Sequence, residues 1–382
     1  MVLNTNCMTA GINPKKLNRV VELTHSWVDS KSTPTVITLA SRKGIRVLED
    51  AYGKQTADTN SKDADIDSIY SMASLSKVVT ATIAMSLVED GLLSIVRPVQ
   101  EYIPEFVGEN KEMVMVHHLL THTSGINQFE LKKHASVNNF ILPEGDKTQH
   151  PEIYKYLNAY YDAPLWKMPG EEMSYCGYGY ELLGEIIRRV TGKSLEENAV
   201  ERVFAPLDMR DSHFVVPEEL WGRVVKFPKE AYCGDWSGTP EALKKPGAAG
   251  GLYSTAGDML KFGQMFLNKG VYNGKRILSR ASIETMTRNH IPGVISKWYK
   301  TTFKEAAWGL GWMLSDNKKD ESGVLRSRET FYHTGAGCSI LLVDPVNEVV
   351  LVNFTVSMVR LPDGEPLRRF DYISDVVIGA VE

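Results

Sequence analysis

Ser74-Leu75-Ser76-Lys77 is the stretch on which the reading of this chain turns. It follows the apolar residues Ile69, Tyr70, Met72 and Ala73. It opens a segment whose apolar positions Val78, Val79, Ile83, Leu87 and Val88 recur at helical spacing, with Gly91 as the stop. Residues three apart on a helix share a face, so the Ser74 hydroxyl and the Lys77 amine meet within one turn. A serine hydroxyl is a weak nucleophile and needs a base beside it; a neutral lysine amine can be that base. The spacing points to a serine hydrolase or acyltransferase that works without a Ser-His-Asp triad. Alone the motif is weak, because a serine at a helix start also serves simply to cap free backbone N–H groups. The chain carries a second copy, Ser315-Asp316-Asn317-Lys318. Residues 308–314 before it read as a strand and Asp316 to Gly323 is polar and turn-rich, so Ser315 reads as a turn residue.

Leu17 to Val28 reads as an amphipathic helix, followed by strands over Thr35 to Ala40 and Ile45 to Leu48 about the Arg42-Lys43-Gly44 turn. The middle is mostly helical, with long loops around 127–153 and 227–248. Its second clear helix runs from about Gly179 to Val190, with Leu182, Leu183, Ile186 and Ile187 as the buried stripe and Gly192 as the stop. Strands return over Trp308 to Leu314, Glu329 to His333, Ser339 to Val343 and Val349 to Phe354, with Pro345 to Glu348 as a hairpin turn. A closing helix spans roughly 365–378. This order predicts an α+β protein: one antiparallel sheet built from both chain ends and flanked by helices, plus a mostly helical lobe. The expected division is 17–73 and 250–382 for the sheet lobe and 74–249 for the helical lobe. The active site lies between them, and 1–16 forms a poorly ordered N-terminus.

The 382 residues are 43% hydrophobic, enough for a sizeable core, and carry a net charge of −4. No block of like charge appears, which argues against nucleic acid or an anionic membrane as partner. Cys7, Cys176, Cys233 and Cys338 are too sparse for a disulfide framework, so free thiols in a reducing compartment are expected. The first 16 residues lack the apolar core of a signal peptide, and no run approaches the roughly 20 apolar residues of a membrane span. A cytoplasmic protein is expected.

Two further pieces accompany Ser74. Met168-Pro169-Gly170 runs into Ser174-Tyr175-Cys176 just before the second helix, and His333-Thr334-Gly335-Ala336 ends a C-terminal strand. Weaker stretches lie between them in order, among them His118 to Gly125, Ala205 to Met209, Gly250 to Met259 and Gly309 to Trp312. Together these resemble the serine β-lactamase and penicillin-binding-protein superfamily. The nearest branch is the class C-like one of D-alanyl-D-alanine carboxypeptidases, family VIII esterases and related acyltransferases. The resemblance spans about Pro34 to Phe354.

The resemblance implies a β-lactamase-like fold and a covalent acyl-enzyme. It makes Ser74 the nucleophile, Lys77 its base and Tyr175 a second proton-transfer group. The backbone N–H groups of Ser74 and Ala336 form the oxyanion hole. His333, Thr334 and Gly335 line the substrate cleft. His333 stands where relatives have a lysine or histidine and, with only part of its population charged, attracts a substrate carboxylate weakly. The substrate is a small ester or amide; no cofactor or metal is implied, and the oligomeric state is left open. One departure concerns specificity. Many relatives have an asparagine two residues after the tyrosine, where this chain has Gly177. Its absence shifts the expectation toward esters and away from β-lactams. An acyltransferase using the same acyl-enzyme, and a non-catalytic binding or self-assembling protein of the same fold, are the alternatives. His117, His118 and His122 could suggest a metal, but no third ligand stands near them in sequence. Cys176 and Cys338 read as small apolar filler, and Trp308 and Trp312 as strand packing.

Overall fold

A computed structural model describes the chain except for residues 1, 4–6, 57, 59, 135–145, 299–300 and 361–366. Seven strands form one sheet. They are β1 (Val2–Leu3), β2 (Thr35–Arg42), β3 (Ile45–Gly53), β4 (Met313–Leu314), β5 (Phe331–Gly335), β6 (Ser339–Asp344) and β7 (Val349–Thr355). Their spatial order is β1-β3-β2-β7-β6-β5-β4, every pair antiparallel. The two chain ends meet at β2 and β7, where Phe354 faces Ile37 and Leu351 faces Ala40.

Alternation along the strands decides what covers each face. Ile340, Leu342, Val349 and Leu351 point one way, into a core with helix α1 (Pro14–Asp29) and a helix over Phe370–Gly379. Leu341, Val343, Val350 and Val352 point the other way, into a core that continues through the helical lobe. With both faces covered, β2 and β6 are buried along their whole lengths. The helical lobe and the inner sheet face share one apolar cluster, so the lobe is anchored on the sheet. At the centre of that cluster lies α2 (Ser76–Glu89), buried from Ser76 through Leu87. A helix buried on all sides must satisfy its polar residues internally. Ser76, Lys77 and Thr80 do so on one stretch: Ser76 Oγ accepts from Leu252 N–H, Lys77 Nζ donates to Ala249 O and Thr80 Oγ1 donates to Ala248 O. The next long helix, α3 (Gly177–Thr191), packs against α2 and ends at Gly192 with φ +66°.

Several sequence expectations need correction. Residues before α1 are not loose where described. Cys7, Ala10 and Ile12 are buried in the outer core, and Asn13 caps α1 at Lys15 and Lys16 while its own N–H donates to Ala380 O. The strand expected over Trp308 to Leu314 shrinks to β4. Gly311, at φ +89°, turns the chain, and Gly309 N–H closes that turn on Trp312 O. The 227–248 loop contains a short helix, Pro240–Lys244. The closing helix starts at Phe370; positions 365–366 and part of the 127–153 loop lie outside the described residues. No helix among the described residues is long and apolar enough to cross a membrane. All four cysteines are free thiols.

Candidate active site

Ser74 sits in one turn of 3-10 helix, Ala73–Leu75, at the mouth of α2 rather than inside it. Ala73 holds φ +45°, a left-handed value costly for a residue with a side chain, so the turn before Ser74 is strained. Ser74 stands at the edge of a cavity of about 620 Å³, which Tyr175, His333, Thr334, Gly335 and Ala336 also line. The site residues expected from the sequence therefore share one cavity, with Lys77 buried behind them.

Lys77 Nζ lies 3.1 Å from Ser74 Oγ and 2.7 Å from Ala249 O. It also lies 4.9 Å from the centre of the Tyr175 ring and 5.7 Å from that of Tyr180. The backbone leading to the Ala249 carbonyl is held by Glu181 of α3, whose carboxylate accepts the N–H groups of Ala248 and Ala249. Burial raises the Glu181 carboxyl, opposed by those two N–H groups and by Lys77. Across the cavity, Gly335 packs so closely on Met72 that a Cβ there would stand 2.5 Å from Met72 O. Only glycine permits that contact, which brings the Ala336 backbone up to the Ser74 turn.

His333 differs from expectation. It is 1% exposed, its Nδ1–H donates to Thr334 O at 2.9 Å, and burial together with the positive Lys77 pushes it down to about 3. It is a neutral wall of the cavity and carries no charge toward a substrate carboxylate. Thr334 Oγ1 donates to Glu321, which Arg368 pairs at 2.9 Å.

Three residues that sequence reasoning left out of the site belong beside it. His122 lies against Tyr175 with ring centres 4.3 Å apart and planes tilted by 36°, and burial pushes it well below the ordinary histidine value. His118 serves elsewhere, its Nδ1 accepting Met115 N–H. Among the described residues no His, Cys, Asp or Glu cluster could hold a metal. Trp308 is edge-on to His122, Tyr175 and His333, so it packs on the site and not in a strand, unlike Trp312, which packs among Phe262, Phe266 and Phe331. Gln128 lines the cavity and accepts the Gly177 N–H on Oε1 at 3.2 Å. Only the His-Thr-Ser-Gly run of 122–125 hinted at the first of these; nothing local marks the others. Cys176 and Cys338 are buried, each thiol pushed up to about 11 by burial.

The Beta-lactamase family model matches residues 20–373. The chain belongs to the Beta-lactamase family. Within that family it is 31% identical to penicillin-binding protein 4 of Amycolatopsis lactamdurans over 261 residues, 65% of this chain and 63% of that protein. It thus spans less than two thirds of that relative's length. It is 24% identical to the D-alanyl-D-alanine-carboxypeptidase/endopeptidase AmpH of Escherichia coli K12 over 328 residues, 85% of this chain and 78% of that one. Its fold matches that of a family VIII carboxylesterase with a TM-score of 0.75 at 20% identity, over 97% of this chain and 99% of the other. It is a protein of the Beta-lactamase family with the β-lactamase fold.

Proposed function

We propose that this protein is a serine hydrolase that forms a covalent acyl-enzyme on Ser74 from a small ester or amide. The observation that carries the reading is the 3.1 Å contact of Lys77 Nζ with Ser74 Oγ at the edge of a cavity that Tyr175 also lines. Once Lys77 has given up a proton, Ser74 Oγ attacks the substrate carbonyl carbon as its own proton passes to the free amine, and the 3.1 Å contact then runs from O–H to nitrogen. The negative oxygen is held by the N–H groups of Ser74 and Ala336, each such donor lowering the barrier by about 3 kcal/mol. Collapse breaks the bond to the leaving group, which takes a proton through Tyr175. Water then attacks the Ser74 ester, with the same groups taking its proton and returning Oγ–H. An alcohol or amine in place of water makes the same acyl-enzyme a transferase.

Neutral His333 offers a carboxylate no charge, and of the cations lining the cavity Arg368 is paired with Glu321 while Lys297 stands at the wall. Gly177 removes a side-chain amide, yet the Gln128 carboxamide covers that position. A Cβ on Gly177 would lie 3.6 Å from Gln128 Oε1. Labelling with a fluorophosphonate followed by intact mass tests the reading. One stoichiometric adduct is expected on the wild type and none on Ser74→Ala. A wild type that stays unlabelled and inactive toward p-nitrophenyl esters, nitrocefin and D-Ala-D-Ala peptides makes it a binding protein.

A further inference from the structure

His122 holds Tyr175 at three points. Its backbone carbonyl accepts Ser174 N–H at 2.8 Å, and its Nδ1 accepts Cys176 N–H at 3.2 Å. Between those two bonds its ring lies against the Tyr175 ring itself, centres 4.3 Å apart and planes tilted by 36°. The residue before Tyr175, the residue after it and its own side chain are thus all gripped by one histidine. Two costs accompany the arrangement. His122 adopts φ +58°, which few residues with side chains tolerate, and its Nε2 is buried with no hydrogen-bond partner among the described residues. A merely structural position would be served at lower cost by asparagine, which favours that backbone and offers an acceptor of the same reach. The ring is what asparagine lacks, and the ring is what meets Tyr175.

On the reading that Tyr175 transfers protons, we infer that His122 is the positioning residue that orients Tyr175 toward Lys77 and Ser74, and that it acts as a neutral imidazole. Its Nδ1 is an acceptor, so its proton sits on Nε2. A second proton would go to Nδ1 and break the bond to Cys176 N–H. It would also add a positive charge facing Lys77 of α2, with His333 of β5, Tyr175, Tyr180 of α3 and Trp308 as the remaining neighbours. Burial and Lys77 both oppose that second proton.

The test is a pair of double-mutant cycles in the full chain with a p-nitrophenyl ester. His122→Phe keeps a ring and loses the acceptor; His122→Asn keeps the acceptor and loses the ring. Each is made with Tyr175 present and with Tyr175→Phe. Acting through Tyr175, His122→Phe lowers kcat at least about tenfold with KM within about threefold, and by less than about threefold when Tyr175 is already Phe. His122→Asn, which removes the ring that meets Tyr175, loses at least as much, and its loss also vanishes without Tyr175. Equal losses in both backgrounds, or loss of folding by both variants as judged by circular dichroism, overturn the inference. Ser74→Ala measured beside them separates the two ideas. If it stays active, the acyl-enzyme reading falls. If it is dead while the His122 losses are independent of Tyr175, only the positioning role falls.

Discussion

Two stretches of this molecule share the Ser-x-x-Lys spacing and have opposite fates. At Ser74 the spacing spans a 3-10 turn entering α2, and the lysine reaches back to its serine at 3.1 Å. At Ser315 it spans a turn after β4, closed by Lys318 N–H on Ser315 O at 2.9 Å. There the lysine side chain leaves its serine and donates to Ala306 O at 3.0 Å and Ala307 O at 3.3 Å. Both lysines are held by backbone carbonyls. Burial pushes Lys318 down to about 8 against the pull of Asp320, yet among the described residues its amine makes no hydrogen bond to a nucleophile. A lysine of altered basicity is therefore not enough to make a site. Only at Ser74 does a helical turn align the two side chains and a cavity reach the serine, as the proposed acyl-enzyme requires.

The sharpest way to break this contrast is to remove each serine. Ser74→Ala is expected to lower kcat on a p-nitrophenyl ester by at least about 10⁴-fold, with Ser315→Ala within about threefold of wild type. Comparable losses at both serines would erase the distinction. Next come the partners of Ser74. Lys77→Ala and Tyr175→Phe should each cost at least about 10²-fold in turnover, and the double variant far less than the product, because the two groups serve one proton path. Steady-state kinetics showing multiplicative losses would mean that they work apart. A smaller effect concerns what the Ser74 cavity accepts. Its kcat/KM for short-chain p-nitrophenyl esters is expected to exceed that for nitrocefin by at least about tenfold, or roughly 1.4 kcal/mol. Nitrocefin turnover above ester turnover would show that Gln128 and its neighbours hold the β-lactam amide well.

A separate effect falls on Lys318 and is one of stability. Its amine takes up a proton at about 8 in the folded chain and at its ordinary value of 10.5 in the unfolded one. Between those values the unfolded state holds more protons, so stability rises with pH across that window. Wild type should therefore gain on Lys318→Met as pH goes from 8 toward 10.5. Urea midpoints of both proteins at the two ends would read it. A constant difference would mean that Lys318 keeps its proton in the fold.

Much of the architecture was legible in the chain because each element obeys a short-range rule. β2, β3 and β5 to β7 stand within a few residues of where alternation and turn residues put them, and α3 stops at its glycine as read. The misreadings came where local pattern was overruled by contacts distant in sequence. Trp308 to Leu314 has the composition of a strand, but the turn at Gly311 breaks it and turns Trp308 toward the Tyr175 cluster. The N-terminal residues look unremarkable until Cys7, Ala10 and Ile12 complete the core beneath α1. His333 read as partly charged because isolated histidine is, whereas the fold buries it beside Lys77.

What the sequence determined by itself was the identity and order of the chemical groups: a serine and a lysine one turn apart, a tyrosine before a helix and a histidine-threonine-glycine at a strand end. Periodicity and spacing act over a few residues, so they are visible without a fold. What only the tertiary structure decided was which of two identical spacings puts its serine on a cavity, whether His333 carries charge, and that His122, 53 positions before Tyr175, grips it on both sides. Those outcomes depend on desolvation and on hydrogen bonds between segments far apart in the chain, and neither exists until the chain is packed.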